Sequence, residues 1–500
     1  MNTPYRSPAP APPDMPVRYR TTPLLALIAL ACVPAIALGA LFVWSDREAD
    51  AHETQSQEVP SAPVPGAPPA PELTTAMADF RRAPSTLTTL ANDNELAAAM
   101  EQLYAFVDDR SCVSVAVDDR LVSARNDDVR VIPASTLKVL VAGVAIETLT
   151  PEYVFTTDLV APPAVEGVID GDVFLVGGGD PVLSAFDFPF EEGELPAVIT
   201  PLEALADGVV AAGVTTIRGA VVGDASRYDD VTTNPAWGPG VALVDAGPIA
   251  GLVANDGRAV GRFGRQEDAG EAAARELVRL LRDRGVQVFN GSGSGVSPSD
   301  GPVLASATSP PLADIVADML TRSDNDTAEM LVKEIGLVAG DGGTTEAGLD
   351  VIGSSVASWG VPTEGMVLVD GSGLSATNRL TCDTLLGVLQ HLRGTDAIAG
   401  LPVAGRTGTL VFDLVGTTVE GSLAAKTGTL ANPPPDEDPP EVKALAGYLP
   451  VDNGETISFV IVLNGPGYVT AEGYVPYWGA LAERIDAYPA GTDPALFGPR

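Results

Sequence analysis

The 500-residue chain carries 66 acidic against 29 basic side chains, a formal net charge of −37. It has no basic stripe to neutralise phosphates or to hold an anionic membrane surface, so a nucleic-acid partner is excluded and the excess carboxylate reads as solubilising. The length exceeds one simple core and points to about two to three domains.

In chain order, residues 23–44 (PLLALIALACVPAIALGALFVW) come first, an uncharged apolar run long enough to span a bilayer. Arg18 and Arg20 precede it, and Asp46, Glu48 and Asp50 follow. This charge bias predicts a cytoplasmic tail over residues 1–22, a single-pass transmembrane anchor in the cell membrane, favoured over a cleaved signal peptide, and an extracytoplasmic remainder. Residues 45–84, which include EVPSAPVPGAPPAPEL, read as a Pro/Ala-rich linker. Globular sequence begins near residue 85.

CVSVAVDDRLVSARNDDVRVIPAS alternates like strands, and STLKVLVAGVAIETL then turns helical. Residues 151–305 form a β-rich insert of short strands and Gly/Pro/Asp turns, interrupted by one helix, EDAGEAAARELVRLLRDRG. Residues 85–150 and 306–500 are the two parts of the domain it splits. After the insert come helices, then strands, the last two joined by a hairpin turn at Asp452-Asn453-Gly454, and a closing helix.

His52 falls in the linker and His391 on a helical pattern, and no Cys/His cluster has zinc-ligand spacing, so no metal or organic cofactor is implied. Cys112 and Cys382 are the exported cysteines and the candidate disulfide, Cys32 being in the span. The basic residues are nearly all Arg; the lysines are Lys138, Lys333, Lys426 and Lys443. A buried Lys can shift its pKa and act as a base, which Arg cannot. Lys333 and Lys443 read as ordinary surface residues, leaving Lys138 and Lys426 for chemistry.

Three short motifs then stand in order: Ser135-Thr136-Leu137-Lys138, Ser323-Asp324-Asn325 and Lys426-Thr427-Gly428. Ser135 opens a helix with Lys138 one turn on, so both side chains share a face. With no suitable His, the amine must serve as the base for a serine nucleophile, its pKa lowered by burial and by Lys426 as a second cation. Ser323 and Asn325 project from a turn between helices, Ser323 to relay a proton and Asn325 to bind an amide. The following Asp326-Thr327-Ala328-Glu329 reads as a capping box. Lys426, Thr427 and Thr429 end a strand and offer a cation and two hydroxyls to a carboxylate, while Gly428 lets substrate lie against the backbone. Each motif alone is weak; the ordered set is specific for penicillin-binding proteins and class A β-lactamases. Arg406-Thr407-Gly408-Thr409-Leu410 anticipates Lys426-Thr427-Gly428-Thr429-Leu430. It reads as a structural look-alike, since Arg does not surrender a proton.

Together with FLVGGGDPVLS, DGSGLSATNRLT, LPVAGRTGTL and AGYLP, these motifs resemble the D-alanyl-D-alanine carboxypeptidases of the low-molecular-mass class C penicillin-binding proteins, the penicillin-binding protein 4 group. The long interval between Lys138 and Ser323 suits this group better than a β-lactamase. The resemblance implies an α/β transpeptidase-like fold with antiparallel sheet and helices, interrupted by a β-rich insert. It implies a serine DD-peptidase acting on peptidoglycan stem peptides that end in D-Ala-D-Ala, and inhibition by β-lactams. Ser135 would be the nucleophile, Lys138 its base, and Ser323, Asn325 and Lys426 further catalytic groups. Thr427, Gly428 and Thr429 would bind substrate, and the N–H groups of Ser135 and Thr429 would form the oxyanion hole. The chain departs from the group at Ala376, where Arg often follows DGSGLS, and at Arg227, where an aromatic residue often stands. The acidic stretch ANPPPDEDPPE (431–441) reads as an insertion beside the cleft. The alternatives are a β-lactamase and a non-catalytic wall-binding scaffold on the same fold.

Overall fold

The computed structural model describes residues 85–188, 198–238, 241, 244–259, 264–298, 301–434 and 437–489. The expected tail, anchor and linker lie outside these residues. Among the described residues, no helix is long and apolar enough to cross a membrane.

The domain that the insert splits begins with α1 (Ser85–Tyr104), β1 (Cys112–Val117), β2 (Arg120–Arg125) and α2 (Lys138–Leu149). The inserted segment carries β3 (Thr156–Val160), β4 (Val173–Val176), α3 (Glu203–Ala211), β5 (Val221–Asp224), α4 (Ala269–Asp283), β6 (Ser292–Ser294) and β7 (Val303–Thr308). The chain then returns through α5 (Leu312–Arg322), α6 (Asn325–Ala339), α7 (Thr345–Ser358) and α8 (Cys382–Leu392). It ends in β8 (Ala424–Leu430), β9 (Val442–Pro450), β10 (Thr456–Asn464) and α9 (Ala471–Asp486).

The main sheet is antiparallel in the order β8-β9-β10-β1-β2, with β8 at one edge. Its central strands are covered on both faces, so β1 is buried at every position. Alternate residues divide between two cores. Phe459 and Ile461 pack with Met100 of α1 and Trp478 of α9, while Val460 and Val462 pack with Leu140 of α2, Leu331 of α6 and Leu389 of α8. The apolar sequence of α2 buries ten of its twelve residues, as a helix enclosed on all sides must. The β9–β10 hairpin turns at Asp452-Asn453-Gly454, with Gly454 at φ +90°. Cys112 and Cys382 form a disulfide that ties the start of β1 to the start of α8.

The insert has its own core, in which Leu159, Leu175 and Val221 meet Leu205 and Val209 of α3 and Leu277 and Leu281 of α4. Its described residues include two α-helices where one is expected from the sequence. The helix α3 escapes sequence reading because it is short, has no side-chain cap and contains Gly208, whose missing Cβ leaves room for Ala305. By contrast, α4 announces itself by amphipathic periodicity and by Asp268, whose side chain accepts from Glu271 N–H.

Candidate active site

The chain enters the site at Pro133 and makes one 3₁₀ turn, Ala134–Leu137, before α2 begins at Lys138. Ala134 is held at φ +49°, a left-handed conformation uncommon for a residue with a Cβ. Two glycines make room for this turn. A Cβ on Gly428 of β8 would lie 2.8 Å from Pro133 O, and one on Gly373 would lie 2.0 Å from Ala134 O. The strand and the 370–378 loop therefore press directly on the backbone that presents Ser135.

Lys138 is fully buried, and its Nζ donates to Ser135 Oγ (3.0 Å), Asn325 Oδ1 (2.7 Å) and the Ser372 carbonyl (2.6 Å). Burial lowers its pKa to about 8, while the charges of Asp324, Asp370, Glu329 and Asp326 oppose a further fall. The Ser372 carbonyl had no signal in the sequence, because a backbone acceptor leaves no side-chain signature. Glu329 fixes that carbonyl by accepting from the N–H groups of Gly371 (3.0 Å) and Ser372 (2.7 Å). Asp370 closes the same loop, accepting from Gly373 N, Ser375 N, Asn378 Nδ2 and Trp237 Nε1.

Ser323, at φ +63°, ends α5, and α6 starts two residues later. This geometry corrects the capping reading. The cap is Asp324, which accepts from Thr327 N–H at 2.7 Å. Asp326 is instead buried, pairing with Arg265 at 2.7 Å and accepting from Gly247 N–H, while Glu329 serves the 371–372 backbone. Asn325 is thereby drawn into the first turn of α6, with its Nδ2 donating to the Asp245 carbonyl of the insert at 2.8 Å. That bond orients the amide so that Oδ1 faces Lys138.

Lys426 is also fully buried, donating to Ser323 Oγ (2.7 Å) and to the Thr427 carbonyl (2.9 Å). Burial and then the charge of Lys138 push its pKa well down. The repulsion between the two lysines is mutual, and in the free enzyme it is felt at Lys426. Lys138 has carboxylates nearby; Lys426 is the lysine short of counter-charge. All five proposed catalytic side chains converge, and β8 presents Thr427, Gly428 and Thr429 on its outer edge. The backbone of the segment before it pairs with the start of β8, through Val403 and Ala424 and from Ala425 N–H to the Pro402 carbonyl.

The remaining motifs are disposed differently from their sequence readings. Lys333 is buried, not a surface residue, and it donates to Asp229 Oδ1 (2.6 Å) and the Val231 carbonyl (2.8 Å). Lys443 is half-buried, 4.1 Å from the centroid of the Tyr474 ring, and donates to Thr429 Oγ1 at 3.1 Å. Arg227 pairs with buried Glu334, which also accepts from Tyr228 OH. Arg406 is exposed and pairs with Glu420 at 3.1 Å. The look-alike segment nevertheless reaches the site, for Thr409 Oγ1 lies 2.7 Å from Thr427 Oγ1. A cavity of about 620 Å³ opens beside Thr429, lined among others by Ala236, Asp245, Ala376, Thr377 and Pro433. Pro433 belongs to the acidic Pro-rich stretch expected from the sequence to lie beside the cleft.

Comparison with known proteins matches residues 94–274 and 248–474 to the model of the D-Ala-D-Ala carboxypeptidase 3 (S13) family. The chain is 31% identical over 464 residues to the D-alanyl-D-alanine carboxypeptidase of an Actinomadura species, covering 76% of this chain and 81% of that protein. It is 30% identical over 364 residues to a carboxypeptidase of Mycobacterium tuberculosis, covering 69% and 73% of the two. Its fold is similar to that of penicillin-binding protein 4 from Haemophilus influenzae, with a TM-score of 0.65 at 21% identity over 78% of this chain and 99% of that one.

Proposed function

The chain belongs to the D-Ala-D-Ala carboxypeptidase 3 (S13) family, and on that premise we propose that it hydrolyses the terminal D-Ala-D-Ala bond of peptidoglycan stem peptides through an acyl-enzyme on Ser135. The observation that carries the residue assignment is the buried Lys138 amine in hydrogen-bond reach of Ser135 Oγ and Asn325 Oδ1 at once. Ser135 Oγ attacks the penultimate D-Ala carbonyl while its proton passes to the neutral Lys138 amine. The backbone N–H groups of Ser135 and Thr429 hold the oxyanion. Collapse breaks the C–N bond, and the departing D-Ala amine takes its proton from Lys426 through Ser323 Oγ. Water then attacks the ester carbonyl carbon, passing one proton through Ser323 Oγ to restore Lys426; the C–Oγ bond breaks, and Ser135 Oγ takes back its proton from Lys138.

Substrate binding prepares the base. With Lys426, Thr427 and Thr429 receiving the terminal carboxylate, that negative charge favours the protonated form of Lys426. A charged Lys426 in turn favours the neutral form of Lys138. The same acyl-enzyme forms when the leaving amine belongs to a second, cross-linked stem peptide, so DD-endopeptidase activity is part of the proposal. An intact catalytic set has no purpose in a non-catalytic scaffold.

We also assign the enzyme to the outer face of the cell membrane, held by the apolar run 23–44. The arginines before that run support this orientation, as do a substrate found outside the membrane and the Cys112–Cys382 disulfide. Protease added to intact cells is expected to digest the catalytic region and to spare a short membrane-bound fragment.

The test of function is D-Ala release from a stem peptide ending in D-Ala-D-Ala. Ser135→Ala is expected to abolish release while keeping the wild-type Tm. Release undiminished in that variant would remove Ser135 from the mechanism.

A further inference from the structure

Thr427 and Thr429 each meet a donor that lies outside the three motifs. A hydroxyl has one proton and two lone pairs, so a bound anion needs that proton pointed at it. At Thr429 the direction is settled by chemistry. Lys443 Nζ lies 3.1 Å from Thr429 Oγ1, and an ammonium only donates, so Thr429 accepts and its own proton is left over. Lys443 is itself held, with its Nζ 4.1 Å and 5.1 Å from the ring centroids of Tyr474 and Trp478.

At Thr427 the 2.7 Å contact with Thr409 can run either way in the empty site. A carboxylate beside Thr427 selects one direction, because a hydrogen bond to an ionised acceptor is the stronger of the two. Thr427 then donates to the anion and accepts from Thr409, forming a chain in which each bond polarises the next. Thr409 is well supported for this role. Leu410 beside it is buried with Ala404, Val419 and Leu423. Gly408, at φ +55°, lets the turn close on the end of α5, where a Cβ would meet Thr321 O at 2.3 Å.

We propose that Thr409 and Lys443 are positioning residues of the anion site, each donating to a threonine hydroxyl of β8 so that the hydroxyl proton is aimed at the substrate's terminal carboxylate. The proposal rests on the reading of Thr427 and Thr429 as the carboxylate site. The first RTGTL copy then has a part in binding, since its arginine stays outside while its second threonine completes the site that the KTGTL copy builds.

The experiment compares a D-Ala-D-Ala peptide bearing a free carboxylate with the same peptide as its C-terminal amide, using Thr409→Val and Lys443→Met in the full chain. Met keeps most of the aliphatic packing on Tyr474 and Trp478. Each variant is expected to lower kcat/KM for the free acid by about three- to tenfold, mainly through KM, and to leave the amide unchanged. Thr409→Ser is expected to restore the wild-type value. Equal losses on both peptides, or no loss on either, would overturn the proposal. Thr427→Val separates the two levels of inference. Discrimination in Thr427→Val alone removes the supporting tier and keeps the carboxylate site, whereas its absence from every variant removes both.

Discussion

Residues 406–410 and 426–430 differ in one side chain, yet the first forms a 3₁₀ turn and the second a strand. In the first, Arg406 is exposed and neutralised by Glu420; in the second, Lys426 is fully buried between Ser323 and the Thr427 carbonyl. The local sequence is nearly constant, so the difference comes from what each copy packs against. Ala424–Leu430 is fully paired on one side by β9 and follows the buried Leu423, whereas Gly408–Leu410 is wedged between the end of α5 and the edge of β8. A motif of this kind is a set of side chains awaiting an environment. Burial of the cation, which five letters do not encode, is what sets the second copy apart.

Exchanging the cations tests the comparison most severely. Lys426→Arg turns the second copy into the first, replacing a buried amine by a larger group that keeps its proton, and is expected to cost about 100-fold or more in kcat/KM. Arg406→Lys is expected to leave kcat/KM at the wild-type value, because its site is an exposed ion pair. Steady-state kinetics on both variants check this, and equal effects would break the comparison.

The electrostatic difference between the copies predicts a pH profile. Lys138 must be neutral to accept the proton, and burial leaves its pKa at about 8 in the free enzyme. Accordingly kcat/KM is expected to rise by about tenfold per pH unit below that value and to level off above it. Glu329→Gln retains an acceptor for Gly371 and Ser372 while removing a charge that raises the Lys138 pKa, so the rising limb moves to lower pH. Stopped-flow acylation across pH 5.5 to 9.5 (roughly the span needed to define both limbs) would show the shift.

The glycines of the two copies sharpen the comparison further. Gly428→Ala pushes on the Pro133 carbonyl and is expected to slow acylation, because that turn carries Ser135. Gly408→Ala meets Thr321 O at a left-handed φ and is expected to cost about 1–3 kcal/mol of stability, read as a lower Tm. Loss of the Arg406–Glu420 pair in Arg406→Ala should be the smallest change, within about 0.5 kcal/mol.

Much of the site was legible because its side chains sit at element boundaries that sequence marks well: a proline before a helix, a break between helices, a small-residue strand before a hairpin. What escaped depended on tertiary placement. Asp326 and Glu329 have capping-box spacing, but the left-handed Ser323 starts α6 earlier and shifts the cap to Asp324. Lys333 has the sequence neighbourhood of a solvated helix face, and only the docked insert, through Asp229 and Val231, buries it. The Ser372 and Asp245 carbonyls reach Lys138 and Asn325 through the backbone, to which side-chain reading is blind. The β-rich character of the insert was legible from its turns, whereas α3 had neither a cap nor sufficient length to declare itself.

The central claim is that Ser135 is the nucleophile and Lys138 its base. The most direct measurement is the intact mass of the protein after brief exposure to a penicillin, with peptide mapping and with Ser135→Ala and Lys138→Ala in parallel. The account predicts a long-lived adduct on the peptide containing Ser135, absent from the first variant and strongly slowed in the second. An adduct on another residue, or one that forms at the wild-type rate in either variant, would contradict it.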